Sequence, residues 1–203
     1  MIAVIDYNTG NLKSVENALA RLGADFVVTS DEAVVRSASG VLLPGVGEAS
    51  SAMARLVSTG LDKVIPTLAS PVLGICIGMQ LMCLHSDEGD VDGMGIFRSQ
   101  VVKFSPEDTS ADERIKIPQM GWNTVSAVSS PLFEGIPDRS WFYYVHSFYA
   151  EVCEDTAAVT TYGCRPFSAA LRRNNFFGVQ FHPEKSGAIG SELLSNFLKM
   201  SRL

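Results

Sequence analysis

The first half of the chain alternates short apolar runs with longer amphipathic stretches. Four runs have the length and composition of buried strands, over residues 2–6, 26–29, 41–43 and 72–75. Short buried strands separated by amphipathic helices are typical of parallel βαβ units. The pattern therefore predicts a parallel sheet with helices on both faces.

The stretch after the first strand shows the helical spacing most clearly. Apolar residues recur there at every third or fourth position over residues 12–22. We expect Asn11 to cap this helix and Gly23 to end it.

The second half favours strands instead. Strand-forming residues dominate six segments between Gly95 and Phe181, namely IFRSQVVKF, WNTVSAV, WFYYVHSFYAEV, AAVTTYG, FSAALRR and FFGVQF. Residues 105–114 are polar and are predicted to form an exposed loop, whereas residues 189–198 return to helical spacing. The sequence thus predicts one α/β domain over residues 1–203, with a mostly parallel open sheet flanked by helices and antiparallel strands added in the second half.

Composition and charge exclude several classes of protein. Hydrophobic residues make up 46% of the chain and charged residues 19%, which is typical of a folded globular protein. Sixteen Lys and Arg against 22 Asp and Glu give a net charge of −6, so we expect no broad binding to nucleic-acid phosphates. The N-terminus has no signal-peptide pattern, and the most apolar stretch, residues 71–84, is too short to span a bilayer. We expect a cytoplasmic protein that does not bind membranes.

The cysteines do not form a metal-binding pattern. Cys76, Cys83, Cys153 and Cys164 include no C-x-x-C pair, and the chain has only three histidines. A structural zinc site is therefore not expected, and neither a metal nor a cofactor is predicted. Each cysteine is then either a buried apolar residue or a nucleophile.

One cysteine lies in a pattern that favours a nucleophile. The pentapeptide GICIG, residues 74–78 with Cys76 at its centre, follows an apolar strand and precedes the helical residues 79–84. A G-x-nucleophile-x-G turn between a strand and a helix is a nucleophile elbow, and the helix N-terminus favours the thiolate form of the cysteine. The alternative for this pentapeptide alone is a buried cysteine beside packing glycines.

A second pattern ends the last strand, where FFGVQF is followed by His-Pro-Glu. The residue before a proline favours extended geometry, and residues two apart in an extended chain point to the same side. Glu184 can therefore orient one nitrogen of His182 and leave the other nitrogen to act as a base, as in a catalytic triad. The alternative is a strand-end histidine beside a solvated glutamate, and the presence of the cysteine elbow disfavours this alternative.

A third pattern is Pro-Gly-Val-Gly at residues 44–47, directly after the third strand. Glycines here let the backbone approach a ligand and turn its N–H groups inward, as one wall of an oxyanion hole opposite the amide of Ile77. Taken alone, a βα turn that merely needs glycine is the simpler explanation. No G-K-[ST] follows, so the segment is not a phosphate loop.

With these patterns placed, the chain resembles the class I, triad-type glutamine amidotransferases over essentially its full length. Within that class it is most similar to the glutaminase subunits of imidazole glycerol phosphate synthase, an enzyme of histidine biosynthesis. The resemblance rests on six segments: IDYNTGNLKS, LLPGVG, PVLGICIGMQL, PQMGWN, FYYVHSF and NNFFGVQFHPEKSG. Asn8, Thr9 and Gln119 depart from the pattern of the family.

The resemblance implies a glutaminase in which Cys76, His182 and Glu184 are catalytic. Cys76 would attack the side-chain amide carbon of glutamine, His182 would carry the proton to the leaving ammonia, and Glu184 would hold His182. The ammonia would then pass through a channel to a separate (β/α)₈-barrel synthase subunit, with which this chain would form a heterodimer. That subunit would form imidazole glycerol phosphate and an aminoimidazole carboxamide ribonucleotide.

The same resemblance implies where L-glutamine binds and which segments face the partner. The glutamine contacts would be Gly45, Val46, Gly47, Ile77, Gln80, Ser147 and Phe148. PQMGWN and residues 143–148 would lie toward the partner subunit.

The remaining chemical groups are given structural roles. His146 is expected to order the loop that carries Ser147, and His85 to end the elbow helix. Cys83, Cys153 and Cys164 are interpreted as packing residues. The acidic residues 87–92 lack the spacing of a calcium loop and are interpreted as a solvated turn.

Three other functions stay open at this point. The chain could be an amidotransferase that serves another synthase, such as those of anthranilate or pyridoxal phosphate synthesis, although the GWN and YVHS segments disfavour this. It could be a cysteine hydrolase that acts alone on peptides, although nothing suggests an extended substrate groove. It could also be an inactive homologue that only binds, against which the intact Cys76, His182 and Glu184 argue.

Overall fold

The computed structural model of the chain describes residues 1–7, 12–45, 47–109 and 115–202. The expected helix cap Asn11, the departures Asn8 and Thr9, and the expected glutamine contact Val46 lie outside the described residues.

The described part of the chain forms alternating strands and helices in its first half and mostly strands in its second. The strands are β1 (Ile2–Ile5), β2 (Phe26–Thr29), β3 (Gly40–Leu43), β4 (Val72–Ile75), β5 (His85–Ser86), β6 (Val91–Asp92), β7 (Gln100–Lys103), β8 (Gln119–Val125), β9 (Ser140–His146), β10 (Phe148–Ala150), β11 (Thr156–Tyr162), β12 (Arg165–Arg173) and β13 (Phe176–Val179). The α-helices are α1 (Lys13–Arg21), α2 (Glu32–Ser37), α3 (Ala49–Thr59), α4 (Leu61–Val64), α5 (Ile77–Leu81) and α6 (Gly187–Met200). Short 3₁₀ turns occupy Ile65–Thr67, Pro106–Asp108, Pro131–Phe133 and Pro183–Lys185.

The main sheet confirms the predicted α/β architecture. Among the described residues it has seven strands in the order β11-β12-β13-β4-β3-β1-β2. Neighbours from β13 to β2 are parallel, whereas β12 and β11 are added antiparallel on the β13 edge. The central strands β1, β3, β4 and β13 are buried at every residue, as their uninterrupted apolar runs require.

Two smaller sheets account for the other strand segments of the second half. One has the order β10-β7-β5-β6. The other is a ribbon of β8 and β9, paired from Gln119 opposite His146 to Val125 opposite Ser140. One face of this ribbon is buried, with Phe142, Tyr144 and His146 directed inward. The ribbon thus covers the main sheet next to the elbow.

The elbow helix is shorter than predicted, because α5 ends at Leu81 instead of continuing through Leu84. The backbone N–H groups of Met94 and Ile96 bond to the carbonyls of Leu81 and Met82, at 2.8 Å in both cases. Carbonyls that would continue a helix are therefore used by the returning chain. The prediction that His85 ends this helix is wrong: His85 lies in β5 and its ring bonds to Asp92.

The predicted exposed loop at residues 105–114 is wrong at Asp108, and residues 110–114 lie outside the described residues. Residues 105–108 form a 3₁₀ turn with a capping box, in which the side chain of Ser105 accepts a backbone hydrogen bond and Asp108 bonds back to the N–H of Ser105. The Asp108 carboxylate is buried and forms an ion pair with Arg165 at 2.6 Å. Polar composition alone could not show this pairing, because its partner lies far along the chain.

The elbow packs directly against its neighbouring strand. A Cβ placed on Gly78 would collide with the backbone carbonyl of Leu43 in β3, and one on Gly74 would collide with the backbone of Gly78. Glycine at 78 therefore sets how closely α5 approaches the sheet.

Gly78→Ala is expected to lower the free energy of unfolding by about 3 kcal/mol or more, because the colliding atom is backbone and cannot rotate away. Gly60→Ala is the matched control, since Gly60 has a positive φ of 74° but no neighbour within 4 Å of the added carbon. That control should lose only about 1 to 2 kcal/mol from the left-handed backbone. Urea denaturation measures the free energy of unfolding of both variants. Equal losses would show that the close contact between Gly78 and β3 adds nothing to the stability.

Candidate active site

Cys76 lies in a strained turn between β4 and α5. Its backbone has φ 54° and ψ −111°, a conformation that residues other than glycine seldom adopt. The N–H of Cys76 donates to the carbonyl of Val179 at 2.8 Å, so the turn is tied to β13. The side chain is buried, and its sulfur lies 4.0 Å from the carbonyl oxygen of Val145. The local geometry is that expected of a nucleophile elbow.

His182 and Glu184 follow β13 on the neighbouring strand. The Nδ1 of His182 lies 2.7 Å from Oε1 of Glu184, and both side chains are almost completely buried. The 3₁₀ turn that begins at Pro183 brings the carboxylate back onto the ring. The second ring nitrogen, Nε2, has no hydrogen-bond partner of normal geometry in the described part of the chain.

The charge state of His182 follows from its surroundings. Burial by itself lowers the pKa of His182, but the neighbouring Cys76 sulfur and the Glu184 carboxylate outweigh it and raise the pKa to about 10. Both neighbours thus favour the protonated form of the ring. A protonated imidazole beside a sulfur stabilises the thiolate, which is the nucleophilic form of cysteine.

A cavity of about 340 Å³ opens beside these residues. Its lining contains His182 and six other residues that the sequence assigned to the site. It also contains residues that the sequence did not assign to the site. Its lining is Gly47, Cys76, Ile77, Gln80, Glu88, Pro118, Val145, His146, Ser147, Phe148 and His182. Glu184 lies behind His182 and does not line the cavity. A space of this size and lining suits a small polar molecule.

Gly45 does not line the cavity but brings its segment close to the elbow. An added Cβ there would meet the Tyr7 hydroxyl at 2.6 Å and the Ile77 side chain at 2.8 Å. Tyr7 in turn donates to the carbonyl of Pro44 at 2.7 Å. Gly47 has φ 107° and reaches the cavity, so the segment after β3 faces the turn that carries Cys76.

Gln80 is buried one turn beyond Cys76. Its Nε2 donates to the carbonyl of Phe148 and to Oε1 of Gln180, both at 2.9 Å. Its Oε1 is buried without a partner among the described residues. A buried acceptor left unpaired beside a cavity is suited to a donor from a ligand.

His146 is held by both of its ring nitrogens. Nδ1 lies 2.7 Å from the carbonyl of Phe148, and Nε2 lies 2.8 Å from the side-chain amide of Gln119. Burial lowers the pKa of His146 to about 4; the hydrogen bond to the Phe148 carbonyl opposes part of this effect, and nearby His182 adds a smaller lowering. Because both ring nitrogens have hydrogen-bond partners, the neutral ring orders the turn of Ser147 and Phe148. Neither nitrogen is free to act as a base. Gln119 points inward to this ring and is itself buried.

Glu88 is the charged residue among the cavity residues that the sequence did not assign to the site. The interpretation of residues 87–92 as a solvated turn is wrong at this position, because Glu88 is half-buried and accepts from the N–H of Ala49 at 3.0 Å. Burial raises the pKa of Glu88, and the Ala49 N–H counteracts this. No local pattern distinguishes Glu88 from Asp87, since only the packing of the β5–β6 hairpin on α3 turns it inward.

The other cysteines take different environments. Cys83 is buried, in agreement with a packing role, and Cys153 is partly buried. The prediction of a packing role is wrong for Cys164, which is exposed. No group of three or more potential metal ligands occurs within the described ranges. No helix in those ranges has the length and apolarity needed to cross a membrane.

Comparison with known proteins places this geometry in a family. The model of the glutamine amidotransferase class-I family matches residues 3–200. A relative from Bacteroides thetaiotaomicron and one from Bacteroides fragilis (strain YCH46), both named imidazole glycerol phosphate synthase subunit HisH, are each 51% identical over 98% of this chain and 99% of their own length. A solved glutamine amidotransferase structure superposes with a TM-score of 0.73 at 14% identity, over 100% of both chains, and so shares the fold. The chain belongs to the class-I glutamine amidotransferase family.

Proposed function

We propose that this chain is the glutaminase subunit of an imidazole glycerol phosphate synthase. The observation that carries the proposal is the arrangement of Cys76 on a strained turn beside His182, which Glu184 holds at 2.7 Å. The 51% identity to proteins named HisH supports this synthase over those of anthranilate or pyridoxal phosphate synthesis. Residues 1–203 would then form one amidotransferase domain, in a cytoplasmic biosynthetic enzyme.

Glutamine would enter the cavity with its side-chain amide against Cys76. The thiolate attacks the amide carbon, forming the S–C bond, and the tetrahedral intermediate loses ammonia as the C–N bond breaks. His182, protonated at the outset, gives its proton to the leaving nitrogen. Water then attacks the thioester, His182 accepts a proton from it, and glutamate leaves as the thiolate is restored.

The developing oxyanion would be stabilised by backbone N–H groups. Ile77 begins α5, where the first N–H groups of a helix have no carbonyl partner within the helix. Gly47 lines the same cavity. Two donors that converge on one oxygen would form the hole that acyl transfer requires.

The amino-acid end of glutamine would be held at the other end of the cavity. Glu88 supplies a carboxylate for the α-ammonium group, and Gln80 lines the same cavity. Ser147 lines the same space. Such charge pairing would favour a free amino acid over a glutamine within a peptide, whose amine is blocked, and it disfavours a peptide hydrolase.

The ammonia would be passed to a barrel-shaped synthase subunit. The outer face of the β8–β9 ribbon carries three large exposed side chains, Met120 (65%), Trp122 (53%) and Trp141 (57%). Aromatic residues and methionine exposed together are typical of protein interfaces. The backbone of the same ribbon touches the site, because Tyr143 accepts from the N–H of His182 at 2.8 Å. Docking on this face could therefore influence the catalytic residues.

Cys76→Ala is expected to abolish synthesis from glutamine in the two-subunit complex while leaving synthesis from added ammonia intact, since only the nucleophile is lost. Product formation with each nitrogen source measures both activities. Cys164→Ala, at an exposed cysteine away from the cavity, should leave both unchanged. Retained glutamine-dependent synthesis in Cys76→Ala would refute the assignment of the nucleophile.

Glu184→Gln should reduce kcat for glutamine hydrolysis by roughly 10²- to 10⁴-fold with little change in KM, as for triads whose orienting carboxylate is replaced. The reason is that the carboxylate both orients His182 and raises its pKa. Glu192→Gln, which alters only an exposed ion pair with Lys199, should keep full activity. Similar rates for the two variants in steady-state assays would argue against the role of Glu184.

Glu88→Gln should raise KM for glutamine by about tenfold or more while changing kcat little, because it removes one charge-assisted hydrogen bond to the bound amino acid. Asp87→Asn changes the neighbouring exposed carboxylate and should alter neither constant. Steady-state kinetics of the complex test this, and an unchanged KM in Glu88→Gln would place the α-ammonium group elsewhere.

A further inference from the structure

Gln180 lies between the last strand and His182 and has no assigned role. It is completely buried, and its backbone N–H donates to the carbonyl of Ala169 at 2.9 Å. Its side chain reaches into the site next to the nucleophile: Nε2 of Gln180 lies 3.6 Å from the Cys76 sulfur. A distance of 3.6 Å is that of a hydrogen bond to sulfur, which is larger than oxygen.

The orientation of this amide is determined by a chain of hydrogen bonds that begins at a backbone carbonyl. The carbonyl of Phe148 can only accept, so Gln80 must present its Nε2 there, at 2.9 Å. The same Nε2 donates to Oε1 of Gln180 at 2.9 Å. Since the oxygen of Gln180 is thereby turned toward Gln80, its NH₂ group is the one that faces the sulfur.

The geometry points to Gln180 as a catalytic donor to the nucleophile: its side-chain amide hydrogen-bonds to the Cys76 sulfur and favours the thiolate. This inference rests on the proposed role of Cys76 as the nucleophile. The Cys76 sulfur is the acceptor in this contact, and a thiolate accepts far better than a thiol or a thioester sulfur.

The donor acts twice in the reaction. Before attack it favours the thiolate together with protonated His182. When water has added to the thioester, the C–S bond breaks and its electron pair returns to sulfur, and the Gln180 N–H stabilises that leaving group. Hydrogen bonds that strengthen as charge develops lower the barrier instead of merely binding the substrate.

The arrangement also explains why Gln80 has one unpaired atom. Both hydrogen bonds of its Nε2 are used to hold Phe148 and Gln180, which leaves Oε1 without a partner among the described residues. Gln80 is thus a positioning residue for Gln180 in addition to its proposed contact with glutamine.

The test follows alkylation of Cys76 in the full-length chain by iodoacetamide across a pH series, with the Cys76 peptide quantified by mass spectrometry. Gln180→Met keeps the volume and removes the donor, and it should move the midpoint of alkylation upward by about one pH unit. Gln180→Glu keeps an acceptor for Gln80 and turns a second acceptor to the sulfur, so it should move the midpoint further in the same direction. In the complex, kcat for glutamine should fall about tenfold or more in both, with KM changing less.

Gln100→Met is the matched control, since Gln100 is exposed on β7, and it should match the unmodified chain in both measurements. If Gln180→Met unfolds, as judged by thermal denaturation, Gln80→Met decides. It leaves Gln180 in place but frees its amide to rotate, and it should give a smaller upward shift.

An unchanged alkylation midpoint in a folded Gln180→Met or Gln80→Met variant would overturn the inference. Because alkylation reads the sulfur without glutamine, this outcome is separate from failure of the proposed function, which Cys76→Ala reveals. A purely structural role of Gln180 would lower the unfolding temperature without moving the midpoint, and that result would also overturn it.

Discussion

The strained turn at Cys76 is the constraint on which the rest of the site depends. A residue with φ 54° and a full side chain is held in place only if its surroundings prevent relaxation. The hydrogen bond from the Cys76 N–H to the Val179 carbonyl ties the turn to β13. Because Gly78 has no side chain, α5 packs directly on the Leu43 carbonyl of β3. Because β3, β4 and β13 are adjacent and fully buried, the turn cannot move without disturbing the centre of the sheet.

That constraint places three segments around one sulfur. The end of β13 delivers Gln180, His182 and Glu184 within a few residues, and the segment after β3 delivers Gly47. The β8–β9 ribbon closes the remaining side, with the carbonyl of Val145 at 4.0 Å from the sulfur. The same ribbon carries exposed Trp122 on its other face, so one two-stranded element connects a candidate docking surface to the nucleophile.

Most of the site residues predicted from the sequence belong to short motifs of consecutive residues. The elbow and the His-Pro-Glu segment are visible because each packs its chemistry into a few consecutive residues. Gln180 carried a signal of the same kind, since it precedes His182 by two residues and shares its side of an extended chain. Glu88 and the pairing of Asp108 with Arg165 carried none, because their partners come from distant segments.

The sequence by itself determined the order of strands and helices, the parallel first half, and the residue types needed for cysteine chemistry. These follow from periodicity and from backbone preferences that act over a few residues. The tertiary structure decided which groups face the sulfur. It brings His182 and Cys76 together, buries Glu184, and occupies both nitrogens of His146. Distances and burial between distant segments set hydrogen bonding and pKa, and the linear pattern does not contain them.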